Sequence, residues 1–193
     1  MATERNKYLV INGFTIINDG ADGILIKKTK NISVKDSIVS ANDAVGINII
    51  NSTNTLVKDT KVNNSTNGVI VNESSNTKLE RVNVKNSYDN GVWILNSKKT
   101  TLKDSLLENN GQDPYLSSAH QVLLYGSGDT TLLNNRINYG VFGIRLKNNN
   151  NGVIIEMSVN CVRNRMIGER ASAAYDCRRA VACFTDRHNI CGL

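Results

Sequence analysis

Gly91-Val-Trp-Ile-Leu-Asn-Ser97 decides how this chain folds, because the chain writes the same phrase repeatedly. Copies open at Gly23-Ile-Leu-Ile, Gly46-Ile-Asn-Ile, Gly68-Val-Ile-Val and Gly143-Ile-Arg-Leu. Up to Gly91 the glycines fall at intervals of 23, 22 and 23 residues. The longer gap to Gly143 holds a degenerate copy, Gln121-Val-Leu-Leu, in which Gln stands for the glycine. A period of this length means one small unit stacked on the next, so the chain reads as an array.

With each motif glycine as zero, offsets 1 and 3 are Ile24/Ile26, Ile47/Ile49, Val69/Val71, Val92/Ile94, Val122/Leu124 and Ile144/Leu146. Apolar alternation at period 2 makes each a strand with those side chains on one face. Offset 11 gives Val34, Val57, Leu79, Leu102, Leu132 and Ile154; offset 16 gives Val39, Val62, Val84, Leu107, Ile137 and Val159. Turn clusters such as Asn51-Ser-Thr-Asn54 and Glu73-Ser-Ser-Asn76 separate the columns. One coil therefore has three short strands and three turns, and each strand pairs with its copy in the next coil. The fold expected is an all-β parallel β-helix of about seven coils, with a dry interior of aliphatic side chains. Propeller blades need about 40 residues, more than this repeat supplies. A leucine-rich repeat would need a consensus Leu ladder that is absent. Leu9, Ile11 and Ile16 precede Ile32, Val34 and Val39 by one period, so the pattern opens mid-coil. Such an end exposes unpaired strand edges, and it predicts either a longer protein or a neighbouring chain covering it.

Composition agrees. Aromatics are 5% of the 193 residues, thin for a sandwich core. The single Pro leaves the turns to Asn, Asp, Ser and the 14 Gly. No apolar run approaches the ~20 residues of a membrane helix, which speaks against a membrane partner. Met1-Ala-Thr-Glu-Arg-Asn-Lys7 lacks the apolar stretch of a signal peptide. The net charge of +6 is scattered over turns without an aromatic platform, which argues against nucleic acid as a partner.

The repeated G-[IV]-x-[IVL]-x-[NS]-S motif, with trailing turns such as Asp104-Ser-Leu-Leu-Glu-Asn-Asn110, resembles the right-handed parallel β-helix superfamily that includes pectate lyases. The resemblance covers roughly residues 7 to 160. It implies the right hand, and polysaccharide chemistry more often than not: lyases, hydrolases, alginate-type epimerases and virus tailspikes, beside non-catalytic members. In enzymes of this superfamily the sheet that opens each coil carries the substrate groove.

Offsets 2 and 4 of that sheet point outward. They read Leu25/Lys27, Asn48/Ile50, Ile70/Asn72, Trp93/Leu95, Leu123/Tyr125 and Arg145/Lys147, with no carboxylate among them. Ile70, Trp93, Leu95 and Leu123 form an apolar patch. Such a patch marks a contact surface, either for a homo-oligomer or for sugars stacked on Trp93 and Tyr125. One insertion interrupts the period: Gly111-Gln-Asp-Pro-Tyr-Leu-Ser-Ser-Ala-His120. Long turns on a rigid stack are where sites are built. A lyase or epimerase needs a base for the C5 proton, an acid for the leaving oxygen and a cation for the carboxylate. His120, Tyr125, Arg145 and Lys147 supply those types as candidate catalytic residues, with Trp93, Asp113 and Tyr115 as candidate substrate contacts. Asp113-Pro114 is similar to the Asp-Pro-His of alginate epimerases, with Tyr115 where the His would stand.

No cofactor is implied. Asp36, Asp59 and Asp104 share offset 13, an arrangement that admits calcium. Arg81 interrupts the column and Lys35, Lys58 and Lys103 flank it, so it reads first as a solvated turn. After Cys161 lysine vanishes, Arg crowds in, and all four cysteines appear. Residues 161–193 thus form a Cys/Arg-rich cap or tail beside the 7–160 β-helix. Within it Glu169–Phe184 reads as a short helix with Ala173, Ala174, Cys177, Val181 and Phe184 on one face. The functional expectation is a carbohydrate-active protein, lyase or epimerase in type, acting on or binding an anionic polysaccharide, outside the cell or on a cell or virion surface. The alternative is a structural or adhesion stack that self-associates through the Trp93 face.

Overall fold

The computed structural model describes residues 8–111, 119–139, 142–147, 153–157, 166–168 and 180–184, the last three segments and Phe142 as backbone only. It is a parallel β-helix. The third sheet, opening each coil, runs through Ile24–Lys27, Val45–Ile50, Asn67–Asn72, Val92–Leu95, His120–Tyr125, Phe142–Lys147 and Met166–Gly168. Every pairing along it is parallel. The other two columns of strands join into one 13-stranded sheet. The junction is Thr130–Asn138, a nine-residue strand that carries both Leu132 and Ile137.

Register follows the sequence columns. Ile24 pairs with Ile47, Val92 with Val69 and with Val122, and Val122 with Ile144. The aliphatic side chains of the three columns are buried from Ile24 to Leu146 and form one core cluster along the axis. Ile154 and Val159 lie outside the residues whose side chains are described. The first rung follows the expected register, Leu9 against Ile32 and Ile16 against Val39. With no rung beneath it among the described residues, Leu9 stays 56% exposed.

The turns explain the Asn- and Asp-rich composition. Lys28, Asn51, Glu73 and Asn96 have φ between 46° and 51°, Asp36, Asp59, Arg81 and Asp104 between 48° and 52°, and Asn64, Asn86 and Asn109 between 49° and 58°. Each coil thus turns through the left-handed region at fixed offsets, where Asn and Asp are tolerated best. Serine follows. Thr29, Ser52, Ser74 and Ser97 each donate a backbone N–H to the hydroxyl of the serine one rung above, at 3.1 to 3.3 Å. Each acceptor serine turns its own hydroxyl to a carbonyl two residues back. These buried ladders satisfy backbone groups that the bends take out of the sheets.

The motif glycines answer to close approach. A Cβ on Gly68 would stand 2.2 Å from Val84 Cγ1 and 2.5 Å from the carbonyl oxygen of Gly91. At Gln121 the rule lapses. The Gln121 amide fills the space, accepting from Asn110 Nδ2 at 2.6 Å and donating to the carbonyls of Asn138, at 2.8 Å, and Tyr139.

The helix expected over Glu169–Phe184 is corrected in its described part. Ala180–Phe184 is a strand, antiparallel to Val153–Met157. The open edge of Val153–Met157 offers unpaired backbone groups, and Val181 and Phe184 suit a strand. Glu169 to Arg179 lie outside the described residues. No helix among the described residues is long and apolar enough to cross a membrane.

Candidate functional site

Because strand side chains alternate, the outward residues of the third sheet form two columns along the stack. Register sets one as Leu25, Asn48, Ile70, Trp93, Leu123 and Arg145, and the other as Lys27, Ile50, Asn72, Leu95, Tyr125 and Lys147. From Asn48 upward these side chains are half-buried, each shielded by its neighbours above and below. Ile70, Trp93, Leu95 and Leu123 are contiguous on two columns, as the sequence predicted.

Arg145 stands directly over Leu123, and Lys147 over Tyr125. The Lys147 ammonium lies 5.7 Å from the Tyr125 ring centroid, a cation–π distance. Arg145 Nε and Trp93 Nε1 are shielded from solvent and have no hydrogen-bond partner among the described residues. Trp93, Tyr125, Arg145 and Lys147 therefore share one face within three successive rungs.

His120 sits elsewhere. It is fully buried, as the first residue of its strand. Its backbone N–H donates to Asn90 Oδ1, and its ring Nδ1 lies 3.1 Å from the same oxygen. Asn90 in turn donates from its N–H and Nδ2 to Asn67 Oδ1. The residue thus belongs to an internal ladder, Asn67–Asn90–His120, that runs along the start of the third sheet across three rungs. The sequence carried the signal, since these three residues all precede the motif position. Asp113 and Tyr115 lie outside the described residues.

The Asp column is a turn column. Arg81 grips Asp59 with both arms, Nε to Oδ1 at 2.6 Å and Nη2 to Oδ2 at 2.9 Å. That hydrogen bond holds the Asp59 carboxyl below its ordinary range. Lys85 acts alike on Glu108. Among the described residues no three His, Cys, Asp or Glu side chains converge on a point where a metal would sit.

The stacked rungs, the Ser-lined turns and the outward strip define a right-handed parallel β-helix protein. The sequence profile of the NosD family, described as periplasmic copper-binding protein, matches residues 2–126. The chain belongs to the NosD family. Copper favours sulfur and imidazole donors, and the described residues do not bring such donors together. No curated protein matches the chain.

Solved structures share the fold. The periplasmic alginate epimerase AlgG is 21% identical, with a TM-score of 0.67, over 84% of this chain and 40% of its own. The A-module of the Azotobacter vinelandii mannuronan C-5 epimerase AlgE4 is 18% identical, with a TM-score of 0.64, over 83% and 50%. The enzymatically active domain of bacteriophage CBA120 tailspike protein 2 is 14% identical, with a TM-score of 0.57, over 82% and 24%. The chain spans half or less of each.

Proposed function

We propose that this chain binds an anionic polysaccharide along the outer face of its third sheet. The observation that carries the reading is the register Trp93–Leu123–Arg145 with Tyr125–Lys147 beside it. Two aromatic rings offer stacking surfaces to sugar C–H faces, and two cations one rung further on offer donors to a carboxylate. The rungs repeat at about 4.8 Å, close to the length of one pyranose, so successive sugars meet successive rungs. The epimerases and tailspike that share the fold support a carbohydrate ligand, and the periplasmic description of the family supports a place outside the cytoplasm.

Lyase or epimerase turnover is the finer reading. On this face Tyr125 is the proton-transfer group, with Lys147 beside its ring and Arg145 placed for the carboxylate. His120, buried one strand-length away, holds the turn that starts the Tyr125 strand.

Trp93 is the only tryptophan, so its fluorescence reports on this face directly. Titration with acidic polysaccharides is expected to quench or shift it. Trp93→Ala, followed by affinity electrophoresis, is expected to weaken retention about tenfold, the scale of a lost stacking contact. Retention unchanged by Trp93→Ala and by Tyr125→Ala would remove the reading. Turnover is read separately, as ultraviolet absorbance of an unsaturated product or as exchange of the C5 proton. The contiguous patch at Ile70, Trp93, Leu95 and Leu123 keeps one second reading, self-association. Sedimentation of the wild type against Trp93→Asp tests it: a smaller species in the variant supports the interface, and identical monomers dismiss it.

A further inference from the structure

The charges on the binding face are not spread evenly, and their placement narrows the ligand. Along the two outward columns Lys27 stands on the first rung, and Arg145 and Lys147 on the sixth. The four rungs between them present Asn48/Ile50, Ile70/Asn72, Trp93/Leu95 and Leu123/Tyr125. None of these eight side chains is a cation. At about 4.8 Å per rung, the uncharged strip is roughly as long as a tetrasaccharide.

A polymer with a carboxylate on every sugar would lay one over each rung of this strip. Each would lose water against Ile70, Trp93, Leu95 or Leu123 and gain no cation, which is unfavourable. Glu73, exposed where the Asn67–Asn72 strand ends, adds negative charge at the level of the patch. Lys98 and Lys99, which follow the Trp93 strand, lie beyond the Ser97 turn, where Lys98 bridges to Ser75 and Gly128 of another ladder. Neutral sugars, by contrast, present C–H faces that suit Trp93, and hydroxyls that suit the amides of Asn48 and Asn72. Asn48 and Asn72 each hold a shielded side-chain oxygen with no partner among the described residues, while the Asn48 Nδ2 already donates to Asp22 Oδ2 at 2.8 Å, so Asn72 is the freer of the two to meet a hydroxyl. Arg145 makes no ion pair with any described residue.

We propose that the ligand is a linear polysaccharide whose carboxylates are set several neutral sugars apart, one of them docking at Arg145 and Lys147. This rests on the reading of the third sheet as a sugar site and specifies the charge spacing that the site takes. The arrangement selects against uniformly charged polyuronates.

The test is a charge-spacing series read through Trp93 fluorescence on the full chain, with sedimentation in parallel. The probes are size-matched oligomers of alginate, with a carboxylate on every sugar, of hyaluronan, on every second sugar, and of gellan, with one in each tetrasaccharide repeat. The expected order of affinity is gellan, then hyaluronan, then alginate, with at least roughly tenfold between the ends. Arg145→Gln, on the outer face and checked for folding by circular dichroism, is expected to weaken gellan binding about tenfold; gellan binding unchanged by it would overturn the docking at Arg145. Alginate binding tightest would overturn the spacing inference while leaving the anionic-sugar reading in place. No response to any probe would overturn both. Concentration-dependent Trp93 emission with a larger sedimenting species would assign the face to a second copy and overturn both as well.

Discussion

Ser97 donates its backbone N–H to the hydroxyl of Ser127 at 3.2 Å, although 30 residues separate them. The same bond joins Ser74 to Ser97 across 23 residues at 3.1 Å. The ladder therefore passes the insertion between Asn110 and Gln121 with its bond length almost unchanged. The rung, set by hydrogen-bond geometry, is the constant length in this ladder.

That ladder sets the first prediction. Ser97 Oγ accepts from Ser74 N–H and donates to the Leu95 carbonyl at 2.8 Å, in a fully buried turn. Ser97→Ala leaves the Ser74 N–H without its acceptor. Urea unfolding should show a loss of about 1–3 kcal/mol. A loss below a few tenths would mean that the ladder is bypassed.

Glycine at the motif position is required by space, not by backbone angle. Gly68→Ala should cost about 3 kcal/mol, because the added Cβ meets a valine methyl and a backbone carbonyl at once. Gly13→Ala is the contrast. Nothing lies within 4 Å of its Cβ position, and its φ of +72° is the only burden. That change should cost about 1 kcal/mol. Thermal melts of the two variants should differ in that order.

Inside the stack, Thr55, Thr77 and Thr100 sit on successive rungs, fully or almost fully buried, with hydroxyls that find no partner among the described residues. Each hydroxyl carries a desolvation cost that no hydrogen bond returns. Thr77→Val keeps the shape and removes the cost. It should raise stability by about 1 kcal/mol, read as a higher urea midpoint at unchanged slope. A destabilised variant would show that the hydroxyl is engaged.

Acid should loosen the turns. Hydrogen bonds from Arg81 and Lys85 hold Asp59 and Glu108 below their ordinary carboxyl ranges. A carboxyl depressed in the folded state contributes stability that is fully present above its unfolded pKa, about 4, and that is lost as pH falls through its folded pKa. Melting temperature should be insensitive to these pairs near neutrality and fall below about pH 4. Arg81→Gln should flatten part of the fall. Asp59 is exposed and Glu108 partly open to solvent, so the effect is small and shrinks further in high salt.

The columns were legible in the sequence because a parallel stack repeats its environment at a fixed interval. Val34, Val57 and Leu79 are buried where periodicity placed them, and Gln121 is a true copy although it lacks the glycine. The site was less legible. Sequence placed Trp93, Tyr125, Arg145 and Lys147 on one face, since strand alternation needs only counting. It read His120 as a group beside them, because proximity in sequence to a long turn says nothing of which way the first residue of the next strand points. The segment Ala180–Phe184 misled for a related reason: apolar residues at helical spacing also suit a short strand, and an unpaired edge decides between them.

Sequence alone determined the rung, its three strands and the residues facing the axis, since each follows from a local period repeated until it is unambiguous. Tertiary structure alone decided which turn residues are interior. The Asn67–Asn90–His120 ladder and the Gln121 stitch depend on how one coil's bend meets the next, and on space that only the stacked backbone defines. Hydrophobic periodicity is a one-dimensional signal, whereas the satisfaction of a buried polar atom is a property of its three-dimensional neighbours.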